Sequence, residues 1–194
     1  MRIILASSSP RRKELLSRIT NNFDIIPSSF NEENIKKEEY NPSKLVEILS
    51  KGKGEDVYSK MDTNEEFVII ASDTMVFCKD VLLGKPKDEK EAFQMIKLLQ
   101  NNMHTVYTGM YLIINKEDKE EKILTHSKTD VYFNKLSDKE ILEYIKTENT
   151  LDKAGGYSIQ GKAKEFVEKI DGRISTVIGL DIEKLTEILK NKVI

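Results

Sequence analysis

The sequence predicts one α/β domain over residues 1–194, and three observations carry that reading. The run Arg2 to Ala6 and the run Phe67 to Ala71 are continuously apolar and partly β-branched, the composition of strands buried on both faces. Segments with helical apolar spacing and capping residues lie between and after such runs. A length of 194 residues with 39% apolar and 33% charged side chains gives a single sizeable core under a heavily solvated surface.

In order along the chain, Arg2 to Ala6 is a strand that runs through Ser7 and Ser8 into a helix. Ser9 caps that helix, Pro10 suits its first position, and Leu15, Leu16 and Ile19 supply its buried face. A short strand is expected at Phe23 to Pro27. Asn41-Pro42 opens a second helix with a core stripe of Leu45, Val46, Ile48 and Leu49, where Gly52 and Gly54 weaken the helix but allow close approach. Phe67 to Ala71 is the central strand, with Ser72-Asp73-Thr74 at its C-terminal end. A hairpin through Lys79-Asp80 leads to Gly84-Lys85-Pro86. Asp88 and Glu91 then cap a helix burying Ala92, Met95, Ile96 and Leu99. Val106 to Ile114 and Ile123 to Phe133 read as antiparallel strands joined by the charged turn Asn115 to Lys122, and Ser137 with Glu140 caps a further helix. Phe166 to Ile170 and Ile174 to Ile178 read as a hairpin about Asp171-Gly172, and Ile182 to Lys190 as a closing helix.

Composition excludes several chemistries. Cys78 is the single cysteine, so internal disulfides and multi-cysteine zinc sites are ruled out, and beside Val76 and Phe77 it reads as a packed strand thiol. A net charge of −2 and the lack of an aromatic-basic interleaved stretch argue against a nucleic-acid partner. The apolar start is too short for a signal peptide or membrane helix, which makes the cytosol the default compartment. His104 and His126 are the only histidines, and neither has the spacing of a zinc pair or a triad. Hydrolysis by metal-activated water fits better than covalent catalysis.

Polar groups gather at strand ends beside glycines, where ligands of open α/β sheets tend to sit. In Ser7-Ser8-Ser9-Pro10-Arg11-Arg12 a helix N-terminus, hydroxyls and two guanidiniums form an anion cradle, although the same residues also fit hydroxyls that only cap and arginines in solvent. Asp73 after five apolar residues suits a metal ligand or a water-orienting carboxylate, and equally a turn aspartate. Lys85 between Gly84 and Pro86 and Lys53 between Gly52 and Gly54 have backbones that could present an ammonium to phosphate, or to water alone. Lys153 to Gly161 is glycine-rich, with Gln160 able to pair with a base edge, or it is a structural loop. The P-loop-like stretch Gly156 to Ala163 fails as a Walker motif, because Ala163 stands in place of the magnesium-binding hydroxyl and no apolar strand immediately precedes it.

Taken together, Leu5 to Leu16, Ser72 to Val76, Gly84 to Pro86, His104 to Gly109 and Lys153 to Gly161 closely resemble the Maf family, in family order and across nearly the whole chain. The resemblance implies a fold of the Maf and inosine-triphosphatase-like kind, a mixed twisted sheet with flanking helices and two lobes around a central cleft. It also implies hydrolysis of a nucleoside triphosphate to monophosphate and pyrophosphate with Mg²⁺, or another divalent cation such as Mn²⁺. Asp73 matches the family's general base, Glu32 a family acidic position, and Lys53, Lys85 and Arg12 basic positions around the phosphates. Glu32 and Asp73 are thus the metal carboxylates the resemblance implies, and Ser7, Ser9 and Lys153 further substrate contacts. Pro10-Arg11-Arg12, Asp73-Thr74 and Ile159-Gln160-Gly161 look like the branch acting on dTTP and UTP, which makes Arg11, Thr74 and Gln160 the specificity residues. A branch for methylated guanine nucleotides and a non-catalytic nucleotide-binding regulator of cell division are the rival readings. The family also implies a homodimer; a cytoplasmic protein without nucleic-acid or membrane partners remains the reading of composition and charge given above. Asn31 replaces a more usual acidic residue, Gly54 and Gly156 usual alanines, and Asp181 a usual proline.

Overall fold

The computed structural model describes residues 1–117 and 119–193, with the side chain of Glu38 outside the description. Seven strands form one mixed sheet in the order β2-β1-β3-β5-β6-β7, with β4 pairing β3. They are β1 Arg2–Leu5, β2 Asp24–Ile25, β3 Phe67–Cys78, β4 Val81–Leu83, β5 Met103–Lys116, β6 Lys119–Phe133 and β7 Val167–Asp171. Among the described residues six α-helices accompany them: α1 Pro10–Ser17, α2 Pro42–Tyr58, α3 Glu89–Leu99, α4 Asp138–Thr147, α5 Ile174–Ile178 and α6 Ile182–Lys192. The chain divides into two compact units, Met1–Asp73 with Thr108–Ser127 and Gly179–Ile194, and Thr74–Tyr107 with Lys128–Ile178.

In the first unit β1 pairs in parallel with both β2 and β3, in register Leu5↔Ile25 and Leu5↔Ile70. Parallel neighbours need a crossover, and α1 and α2 supply it. Both helices begin as their sequences dictate: the Ser9 side chain accepts from the Arg12 N–H and that of Asn41 from the Lys44 N–H, each followed by proline at the first position. Ile4, Phe67, Ile69 and Ile113 are fully buried beside Val57 of α2 and Tyr111 of β5. Full burial of an aliphatic or aromatic side chain contributes about 1.5–3 kcal/mol each. Ile19 lies beyond the end of α1 and is only half-buried, as is Ile48 on α2, so both expected stripes are narrower than their periodicity suggests.

In the second unit β3 turns into β4 through Lys79 and Asp80, both at positive φ (49° and 63°), which fits a two-residue hairpin of the primed type. Asp88 caps α3, and a capping box of Ser137 and Glu140 starts α4, which packs on α3. The core between them includes Ala92, Ile96, Leu99, Val131, Phe133, Ile141 and Phe166.

Three expectations are corrected. Ser72-Asp73-Thr74 does not end its strand: β3 continues to Cys78, because the polar triplet is followed by a second apolar run that pairs with β4. Ile174 to Ile178 is not the second strand of a hairpin but the short helix α5; β7 pairs with β6 instead, and Gly172 at φ 125° redirects the chain between them. β5 and β6 are longer than expected and reduce the charged turn, of which Asp118 lies outside the described residues.

Cys78 is buried, with desolvation raising its thiol pKa, in keeping with a structural role. His104 is also buried: its Nε2 lies 2.7 Å from the Tyr157 hydroxyl, and its ring meets Phe133 edge-on at 4.9 Å between centroids. Burial pulls its pKa from 6.5 down to about 4. The folded-state value is depressed, so the stability it confers is complete above pH 6.5 and is lost as the pH falls toward 4, because the unfolded chain takes up the proton first. The expected loss across that window is roughly 3 kcal/mol. Thermal melts should therefore fall steeply between those limits in the wild type and more shallowly in His104→Gln; parallel profiles would disprove the assignment.

Candidate active site

Seven of the residues singled out from the sequence fall in the first unit: Ser7, Ser9, Arg11, Arg12, Glu32, Lys53 and Asp73. The loop from β1 to α1 folds onto its own hydroxyls. Ser7 Oγ accepts from the Ser9 N–H at 3.2 Å and from an Arg12 terminal nitrogen at 3.4 Å, while Ser9 Oγ caps α1. The capping alternative therefore holds for Ser9, whereas Ser7 turns toward a guanidinium. Arg12 Nε donates to the Gly179 carbonyl at 2.8 Å, an anchor that aims the side chain across the head of α1. Desolvation pulls the Arg12 guanidinium below its ordinary value, with Arg11 adding to this effect and Asp73 and Glu32 opposing it; it remains a cation at neutral pH.

Asp73 is buried, 6% exposed, on β3 just past the end of that strand's pairing with β1. One of its oxygens, Oδ1, accepts from the Lys53 ammonium. The other, Oδ2, is buried with no hydrogen-bond partner among the described residues. An uncompensated buried carboxylate oxygen is costly to keep, and a place reserved for a ligand, water or ion is the usual reason. Lys53 Nζ also lies 2.8 Å from Glu32 Oε1, and Lys37 Nζ 3.0 Å from Glu32 Oε2. Burial alone would raise the Glu32 carboxyl, but Lys53 and then Lys37 outweigh it and hold it below its ordinary value, so Glu32 is ionised at neutral pH.

Lys53 reaches both acids because of where α2 rests. A Cβ on Gly52 would come within 2.4 Å of the Phe30 ring, and one on Gly54 within 2.6 Å of the Tyr111 ring. The two glycines thus bring the helix close to its neighbours on either side of the lysine, as their presence in the sequence suggested. Ser72, next to Asp73, has its hydroxyl 2.8 Å from the Gly109 carbonyl and 2.9 Å from that of Gly179, sharing one proton between them. Gly179 carries no signal in the sequence, since it acts through contacts with residues distant in the chain, and Lys37, although only five residues from Glu32, sits in no recognisable motif.

The remaining candidates, Thr74, Lys85, Lys153 and Gln160, belong to the second unit. There the Gly155 N–H donates to the Gly84 carbonyl at 3.0 Å and so joins the Gly84-Lys85-Pro86 turn to the glycine-rich stretch, where Gly155 and Gly156 adopt φ of 70° and 74°. Lys85 is exposed, while the Lys153 ammonium is turned back onto the Asn149 carbonyl and Asp152. Gln160 borders a cavity of about 480 Å³ whose other walls include Ile159, Val167, Ile170, Ile174 and Ile178. His126 pairs with Glu47 at 2.8 Å on the surface. Among the described residues no cluster of three or more His, Cys, Asp or Glu could hold a metal. No helix among the described residues is long and apolar enough to cross a membrane.

The chain is 46% identical over 194 residues to a dTTP/UTP pyrophosphatase of Clostridium botulinum (strain Eklund 17B / Type B), covering 100% of both chains. A dTTP/UTP pyrophosphatase of Thermoanaerobacter sp. (strain X514) is 45% identical over 99% of this chain and 97% of its own. One of Caldicellulosiruptor bescii is 43% identical over 97% and 94%. Residues 2–192 match the family described as Maf-like protein, and at that coverage the conclusion is plain: the chain belongs to the Maf family.

Proposed function

We propose that the chain hydrolyses dTTP and UTP between the α and β phosphates, releasing the nucleoside monophosphate and pyrophosphate, with Mg²⁺ or Mn²⁺ as cofactor and residues 1–194 working as one Maf-like domain. The observation that carries this reading is Asp73: a buried carboxylate with one oxygen fixed by Lys53 and the other without a partner among the described residues. The relatives' names supply the substrate class.

The residues present fit a hard divalent cation. Mg²⁺ typically takes one or two carboxylates and completes its shell with water and substrate phosphates, and Glu32 with the open Oδ2 of Asp73 is such a set. When bound there, the cation would polarise phosphate oxygens and acidify water. Asp73 orients the attacking water and accepts its proton as the new bond to the α phosphorus forms and the bond to the bridging oxygen breaks. Lys53, Arg12 and Lys85 offset the charge that develops on the departing pyrophosphate, and Ser7, Ser9 and the start of α1 provide donors for phosphate oxygens. Arg11, Thr74 and Gln160 discriminate the nucleotide. Lys153 adds a phosphate contact once its ammonium leaves Asn149 and Asp152. The same reading carries a cytoplasmic homodimer acting on free nucleotides, without nucleic acid or membrane.

The test is product identity. Incubated with dTTP, UTP, other canonical triphosphates and methylated guanine triphosphates, the protein should release pyrophosphate fastest from dTTP and UTP, and none in the presence of excess chelator. Orthophosphate as the first product would show that a different bond is cut.

A further inference from the structure

We propose that Lys53 is an internal counter-ion that occupies the carboxylate pair and keeps a divalent cation out until a polyphosphate draws the ammonium away. This deepens the function proposed above and rests on it. Its ground is the arrangement of charge around the two acids. Lys53 touches both Asp73 and Glu32, and Lys37 holds the second oxygen of Glu32. With Arg12 close enough to feel both acids, three cations face two carboxylates. A divalent cation therefore meets two acids whose charges are already compensated.

A triphosphate reverses that balance. Its oxygens offer Lys53 a more highly charged partner than the carboxylates do, and an ammonium that turns to phosphate leaves the oxygens it held on Asp73 and Glu32 unpaired. Asp73 Oδ2 already lacks a partner among the described residues, so loss of the Lys53 contact completes a two-carboxylate set. Cation and nucleotide then favour each other's binding by the same factor, as linkage requires. The device suits an enzyme that should not hold a metal without substrate, and it distinguishes Lys53 from a lysine that only grips phosphate.

The experiment is a Mn²⁺ titration of the ligand-free full chain, following free Mn²⁺ by electron paramagnetic resonance, with circular dichroism to establish folding. Lys53→Met and Lys53→Gln are expected to bind Mn²⁺ at least about tenfold tighter than wild type, because a unit charge a few ångströms from a divalent ion matters by that much even at high dielectric. Lys53→Arg keeps the charge and should bind as weakly as wild type. Should Lys53→Met fail to fold, Lys53→Gln, which still donates hydrogen bonds to both acids, reads the same quantity. Adding Glu32→Gln to Lys53→Gln should abolish the gain. Equal or weaker Mn²⁺ binding in the folded neutral variants, or a gain in Lys53→Arg, overturns the proposal. No nucleotide is present, so this failure is separate from a failure of the hydrolytic reading, which the product assay detects.

Discussion

Asp73→Asn is expected to lower pyrophosphate release about a thousandfold or more while leaving the fold intact, since in the proposed mechanism it removes both the proton acceptor and a cation ligand. The amide is isosteric, and its oxygen can still accept from Lys53, so the contact between β3 and α2 survives. The second atom replaces an oxygen that is buried without a partner among the described residues, so no existing hydrogen bond is broken. Nucleotide affinity measured without divalent cation should change little, because Arg12, Lys53 and the α1 N-terminus remain. The expected result is a collapse in kcat with a melting temperature close to wild type. A variant that keeps more than about a tenth of the wild-type rate would show that another group takes the proton, given that general bases contribute about 10²–10⁴-fold. Glu32→Gln should be milder, since Glu32 is more exposed and shares its charge between Lys53 and Lys37.

How much of this site the sequence disclosed depended on how local each feature is. The helix start at Ser9 to Arg12 is legible because a cap and a proline at the first helical position act within one turn. The capping patterns at Asp88 and at Ser137 with Glu140 are legible for the same reason. The meeting of Lys53 with Asp73 depends on how α2 lies on the sheet, and residue types alone only hint at it through the flanking glycines. β3 was read too short because a polar triplet resembles a strand end; its continuation depends on pairing with β4, while the Ser72 hydroxyl is satisfied by the carbonyls of Gly109 and Gly179. α5 was misread because β-branched residues favour strands intrinsically, while Ser175 and Thr176 are buried in a five-residue helix that tertiary packing selects. Family resemblance, not periodicity, assigned Glu32; only the structure links it to Lys37.

The largest effect on stability is expected from Gly109→Ala, and it should reach the active site through α2. A Cβ at Gly109 on β5 would sit 2.1 Å from the Val46 carbonyl oxygen, 2.5 Å from its carbon and 2.9 Å from Ser50 Oγ. Val46 and Ser50 are one turn apart on α2, and a helix backbone cannot rotate aside as a flexible side chain does. The helix must move off the sheet. The cost is expected to be about 3 kcal/mol, at the upper end for overpacking, and should appear as a lower urea midpoint with an unchanged slope. Lys53 lies two turns beyond Val46, on the same side of the helix, so the same displacement draws its ammonium away from Asp73. Activity should therefore fall further than the unfolded fraction explains, when assayed well below the melting temperature. Gly84→Ala provides the contrast, because a Cβ there meets nothing within 4 Å and should leave the urea midpoint unchanged. If Gly109→Ala behaved like Gly84→Ala, α2 would not rest backbone-to-backbone on β5, and the contact between Lys53 and Asp73 would lose its mechanical cause.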